Sequence, residues 1–123
     1  MNVSFNKREP VYVQVVRHFK EQIATGNFEP GQEIPSRREL ANQLKINPNT
    51  AQRAYKEMEV EGLIYTEGNN PSRITKDEKI IGTVREELII QAVDSFIASI
   101  RPIDVPVEEL VSLIKRKYTE SGN

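Results

Sequence analysis

The chain of 123 residues contains no cysteine and a single histidine, His18. Without thiols there is no disulfide framework and no sulfur-based metal set, and one imidazole does not make a metal site by itself. Catalytic parts are scarce as well. The serines and threonines are scattered, none is marked with His18 as a nucleophile and its base, and the carboxylates show no pairing signature. An enzyme is therefore not expected, and neither is a cofactor, since no glycine-rich phosphate loop occurs. No apolar run approaches the ~20 residues of a membrane span. With no targeting segment legible, a cytoplasmic protein of one small domain plus an appendage is expected. Positive charge is also lacking overall: the formal net charge is −1, which by itself argues against a nucleic-acid partner.

The distribution of charge reverses that impression. Residues 1–76 carry eleven basic and nine acidic side chains, whereas residues 77–123 carry six and nine. Within the first part, the stretch from Ser36 to Lys56 holds five basic residues (Arg37, Arg38, Lys45, Arg53, Lys56) against one acid, Glu39. A local cationic patch in a near-neutral chain is the electrostatic footprint of a polyanion site.

The same stretch reads as two short helices joined by a tight turn. Ser36 and Glu39 form a capping box, each side chain satisfying an amide that the first helical turn leaves without a partner. Leu40 and Leu44 share one face, and Ala41 beside them allows close approach of a second helix. The chain turns at Lys45-Ile46. Asn47 is then a favoured N-cap and Pro48 suits the first helical position. Ala51, Ala54, Tyr55 and Met58 form the inward stripe of this second helix, and Gly62 falls where a left-handed C-cap is needed. Outward remain Asn49, Thr50, Gln52, Arg53 and Lys56, the side-chain types that hydrogen-bond base edges and phosphates. Glu57, Glu59 and Glu61 crowd the other end, so the N-terminal half is the part expected to enter a groove.

Leu63 to Thr66 and Arg73 to Thr75 are predicted strands of a β-hairpin around the turn formers Gly68, Asn69, Asn70 and Pro71. Arg73 is the strand residue expected to supply charge to a minor groove or phosphate. Upstream, Val11, Val15, Val16, Phe19 and Ile23 form a helical stripe that should cover the helix pair, with Tyr12, His18 and Gln22 facing elsewhere. Gly26 and Pro30-Gly31 punctuate the connection, and Glu33-Ile34 is a candidate short strand against the hairpin.

From Pro10 to Ile64 the motifs P-V-Y-x-Q, G-N-F-E-P-G-Q, I-P-S-R-R-E-L-A and E-x-E-G-L-I resemble the DNA-binding domain of GntR-family bacterial transcription regulators. Within that family, I-N-P-N-T is most similar to the YtrA subgroup. The resemblance implies a homodimer that binds a two-fold operator near the gene it controls, commonly that of an ABC transporter. It also implies DNA contacts at Ser36, Arg38, Asn49, Thr50 and Gln52. Two departures alter the details. Pro48 stands where many members have Arg, which shifts base readout to Asn49, Gln52 and Arg53. The hairpin reads TEGNNPSRIT, with Glu67 where a cation is usual in the family.

Residues 77–123 are expected to form a helical hairpin. Gly82 to Ile100 carries one stripe at Val84, Leu88, Ala92 and Phe96 and another at Ile89, Val93, Ile97 and Ile100. A second helix, from about Val107 to Tyr118, places Val107, Leu110, Val111, Ile114 and Tyr118 on one face, with Glu108 and Glu109 early and Lys115, Arg116 and Lys117 late. Two helices enclose too little apolar surface to offset their chain entropy, so a second copy is expected to cover the stripes. Val84, Leu88, Ala92, Phe96, Leu110 and Ile114 are the expected dimer contacts.

The complete expectation is a mainly helical chain, with residues 1–76 a winged helix-turn-helix and 77–123 a dimerisation arm. Its function is transcription regulation, most simply repression, through double-stranded DNA. The expected DNA contacts are Ser36, Arg37, Arg38, Asn47, Asn49, Thr50, Gln52, Arg53, Lys56 and Arg73. The arm is too short for a ligand pocket of ordinary size, so a small-molecule effector is expected to bind between subunits or between the arm and the DNA-binding domain. The competing class is a winged-helix adaptor that binds another protein and never touches DNA.

Overall fold

A computed structural model describes residues 2–121. The elements are α1 (Val11–Ala24), α2 (Arg37–Leu44), α3 (Pro48–Val60), β1 (Ile64–Tyr65), β2 (Arg73–Ile74), α4 (Glu78–Ile100) and α5 (Val107–Glu120), with a 3₁₀ turn at Arg101–Ile103. The chain divides into two compact units, Met1–Leu88 and Ile89–Asn123.

In the first unit, α3 packs against both α1 and α2. Val15, Phe19, Leu40, Ala51, Ala54, Tyr55 and Met58 are fully enclosed where the three helices meet. The rings of Phe28 and Tyr55 meet Phe19 edge-on, at centroid distances of 5.3 and 6.2 Å. Such contacts add directionality to apolar burial. The phenol of Tyr55 donates to the Pro35 carbonyl, and burial raises its pKa above the ordinary value. That bond ties the centre of α3 to the residue just ahead of the α2 cap.

The two strands pair antiparallel, Ile64 opposite Ile74 and Tyr65 opposite Arg73. Glu33 adds an isolated antiparallel bridge to Arg73. The bonds Ile34 N–H to Ser72 O at 3.0 Å and Ile74 N–H to Gln32 O at 2.9 Å complete this edge. Leu63, Ile64 and Ile74 face the core, so the hairpin is fixed by burial on one side and leaves its tip in solvent.

The N-terminal segment is held by Gln14, the glutamine of P-V-Y-x-Q. Gln14 is buried, and its side-chain amide bonds Asn6 N–H at 3.0 Å, Asn6 O at 3.0 Å and Glu9 O at 2.9 Å. Val3 and Phe5 thereby pack on the core.

The boundary expected after residue 76 lies later. Helix α4 begins at Glu78 rather than Gly82 because Asp77 accepts the Lys79 amide at 2.9 Å, while the Asp77 amide donates to the Thr75 hydroxyl at 3.0 Å. Its first turns consequently lie on the winged unit. Gly62, at φ +76°, leaves room there: a Cβ would stand 3.0 Å from Ile80 Cδ1. Val84 is only 4% exposed and Leu88 packs against the same core. Both belong to the core of the first unit rather than to an interface patch at the far end of the helix.

The second unit is a helical hairpin whose apolar residues lack such cover. Ile89, Val93, Phe96 and Ile97 are 48, 46, 39 and 37% exposed, and on α5 Val111, Leu113 and Ile114 are 44, 41 and 46% exposed. An open apolar groove of about 700 Å³ runs along Phe96, Ile100, Ile103, Leu110, Ile114 and Tyr118. Helix α5 extends to Glu120, beyond the expected end at Tyr118. No helix among the described residues is long and apolar enough to cross a membrane.

Candidate nucleic-acid interface

The two helix starts that carry the candidate site are set by their caps. Ser36 Oγ accepts the Glu39 amide at 3.1 Å, and Glu39 Oε1 accepts the Ser36 amide at 2.9 Å. The Ser36 amide, and after it the Ser36 side chain, hold the pKa of the Glu39 carboxylate below its ordinary value. Asn47 Oδ1 accepts the Asn49 amide at 2.7 Å, with Pro48 following as the first helical residue. The turn between the helices passes through Lys45 at φ 55°, in the left-handed region. Asn47 and Ser36 thus serve first as caps, fixing where the helices begin, with only their remaining polar atoms left for a ligand.

On α3 the inward stripe Ala51, Ala54, Tyr55 and Met58 is completely buried. Asn49, Gln52, Arg53 and Lys56 are exposed, and Thr50 is half-buried. These are the side chains assigned outward from spacing alone, and they share the surface with Arg38, which is exposed and makes no ion pair among the described residues. Beside them a broad concavity is lined by Ser36, Arg37, Arg38, Glu59, Thr66 and Asn70, bringing the first turn of α2 and the hairpin tip to one side of the unit. The arrangement offers cations, amides and hydroxyls to a polyanion while the core lies behind them.

Three of the predicted cations have partners inside the protein. Arg73 Nη1 donates to the Gly31 carbonyl at 2.9 Å and Nη2 approaches Glu33 at 3.4 Å. Its guanidinium therefore braces the hairpin against the preceding loop, a correction to the view of Arg73 as the hairpin's free charge. Arg37 donates to Gln52 Oε1 at 2.9 Å and forms an ion pair with Glu59. Arg53 lies over the Tyr12 ring, its Cζ 4.0 Å from the centroid, and donates to the Tyr12 hydroxyl at 3.2 Å.

Tyr12 and Glu59 are thus parts of the site that sequence reasoning assigned elsewhere. Tyr12 was expected to face away from the helix pair, and Glu59 to belong to an acidic end that simply leaves the groove. Glu61 likewise pairs with Lys20 of α1 at 2.9 Å. Contacts across such long sequence separations have no local signature. The Tyr in P-V-Y-x-Q is the nearest thing to a signal, because it sits one residue away from the core stripe of α1.

The matches to known proteins agree with this geometry. The model of the gntR family of bacterial regulatory proteins matches residues 11–74. The HTH-type transcriptional regulator YhcF of Bacillus subtilis, itself uncharacterised, is 30% identical over 122 residues, covering 99% of this chain and 100% of that protein. The HTH-type transcriptional repressor YtrA of the same organism is 41% identical over 70 residues, which span 57% of this chain and 54% of YtrA. A solved GntR-family regulator from Listeria monocytogenes superposes with a TM-score of 0.82 at 32% identity, covering 91% of this chain and 98% of its own. A winged helix-turn-helix with this cap chemistry, matched along its length by named transcription regulators, belongs to the GntR family of bacterial regulatory proteins.

Proposed function

We propose that the protein is a homodimeric repressor that binds a two-fold operator, with α3 of each subunit in the major groove. The observation that carries this is the division of α3: one face is completely enclosed by α1 and α2, and the other holds Asn49, Gln52, Arg53 and Lys56 in solvent. Asn49 and Gln52 are suited to base edges, while Arg38 and Lys56 are suited to phosphates. Thr50 and the remaining polar atoms of Ser36 and Asn47 add shorter-range contacts at the helix starts.

Dimerisation is assigned to the second unit, through Ala92, Phe96, Leu110 and Ile114. The support is the exposed apolar surface of that hairpin, larger than its two helices cover by themselves. Tethering two weak DNA-binding units raises affinity through effective concentration. Repression is supported by the named activity of the YtrA relative, and the target that the family resemblance implies is an ABC-transporter operon.

The test is a titration of the full chain with duplex from its own promoter at several salt concentrations. Sequence-selective binding with a steep fall in affinity as salt rises supports the reading. Absence of binding at low salt would place the protein among winged-helix adaptors instead.

A further inference from the structure

The side chain of Gln52 is one of the groove-facing groups, yet it is not free to choose its orientation. Its Oε1 accepts from Arg37 Nη1 at 2.9 Å. An arginine has five donors and no acceptor, so the oxygen end of the amide must face it; the usual ambiguity between the two ends of a glutamine is removed by chemistry. Arg37 is itself fixed from the other side. Its Nη2 is paired with the Glu59 carboxylate, one of the charge-assisted bonds that hold a planar guanidinium in place. Its Cζ also stands 5.7 Å from the centroid of the buried Tyr55 ring. Glu59, Arg37 and Gln52 therefore form a relay across the α2–α3 surface, ending at a group that faces outward.

We infer that Arg37 is a specificity-determining positioning residue, which holds Gln52 so that its NH₂ group alone is offered to the groove and the base opposite is read as guanine rather than adenine. This rests on the DNA-binding reading above. Adenine recognition by glutamine uses both ends of the amide, the oxygen accepting from N6 and the nitrogen donating to N7. Arg37 occupies one of the two lone pairs of that oxygen and sets a cation beside it, so the unengaged end is the NH₂, whose donors match the adjacent O6 and N7 acceptors of guanine. The adenine pair would make the N6 amino group share that oxygen with a charged donor, its own hydrogens facing the guanidinium, or turn the amide away from Arg37. Arg37 also gives α2 an influence over a base that only α3 approaches.

The experiment is selection of bound duplexes from a randomised pool by the full-length protein, followed by sequencing, with wild type, Gln52→Ala, Arg37→Met and Glu59→Gln in parallel. Gln52→Ala identifies the position, as the one whose preference flattens while the others persist. Wild type is expected to prefer guanine there. Arg37→Met keeps the apolar stem and frees the amide, and the guanine-to-adenine ratio at that position should fall about tenfold, the size of one lost discriminating contact. Glu59→Gln keeps the Arg37 charge but loosens its anchor, and should shift the ratio in the same direction by less. A general loss of affinity from the missing charge moves all sequences together and leaves the ratio alone. Wild-type preference for adenine at that position, an unchanged ratio in Arg37→Met, or no position that responds to Gln52→Ala overturns the inference while leaving DNA binding intact. Selection of no sequence at all by wild type overturns the DNA-binding reading and the inference with it.

Discussion

The two compact units use apolar residues in opposite ways. In Met1–Leu88 they meet inside, and the largest ones, Tyr55, Phe19, Leu40 and Met58, are fully enclosed. In Ile89–Asn123 the described apolar side chains stay at least partly in solvent, Phe96 at 39% and Ile114 at 46% exposed. Since apolar burial is the dominant favourable contribution to folding, the first unit holds the elements of its own stability. The second is expected to obtain much of its stability from another copy. Folding of the first unit and assembly through the second would then respond differently to protein concentration.

The largest effect that would sharpen this contrast lies in the first core. Phe19→Ala removes a fully buried ring that Phe28 and Tyr55 both touch, and should lower unfolding free energy by about 3–5 kcal/mol, measured by urea denaturation. A loss comparable to that of a surface substitution would mean that the helices do not depend on this core. In the second unit, Phe96→Asp should instead produce monomers in sedimentation, with operator affinity reduced by about two orders of magnitude through lost tethering. The circular-dichroism signature of the winged unit should survive. An intact dimer would move the interface off this hairpin.

Between these extremes stands the DNA-facing surface. Arg38→Ala should weaken binding to all sequences alike and reduce the slope of log affinity against log salt by about 1. A changed base ranking with an unchanged slope would make Arg38 a base reader. Smaller again is the cap: Ser36→Ala should cost about 1 kcal/mol of stability, read as a lowered denaturation midpoint with the denaturant slope retained.

The same cap gives the weakest effect and a definite pH sign. Glu39 has its pKa lowered from an ordinary value of 4.5 by bonds to Ser36. Its contribution is therefore complete above that ordinary value and is lost as pH falls through the lower, folded-state value. Glu39→Gln, which can still close the capping box, should show a shallower loss of stability on acidification below about pH 4.5. Parallel acid profiles for the two proteins would remove Glu39 from the linkage.

Local chemistry explains why so much of the winged unit was legible in the sequence. The caps at Ser36 and Asn47, the turn at Lys45 and the left-handed Gly62 are each dictated by residues within a few positions of one another, and the structure has all four. The inward stripe of α3 follows from its period. What sequence did not reveal depends on distant partners. The start of α4 lies ahead of the expected Gly82 because Asp77 caps it, and Ile80 and Ile81 carry the apolar stripe of Val84 and Leu88 one turn further upstream, across a glycine that reads as a break. Val84 and Leu88 continue the stripe of the arm in sequence, yet the first turns of α4 lie against the winged core, so one stripe has a covered and an exposed part along a single helix. Within the candidate site, the outward set on α3 was legible from spacing. The partners Tyr12, Glu33 and Glu59, which convert three apparently free cations into positioned ones, were not.

The central claim, that each assembly presents two copies of the outward face of α3 to DNA, is tested most directly by methylation protection of guanine N7 on an operator selected by the protein. The account predicts two protected major-groove patches, related by a two-fold axis and centred about one helical turn or a whole multiple of it apart. A single patch, or protection confined to the minor groove, would contradict it.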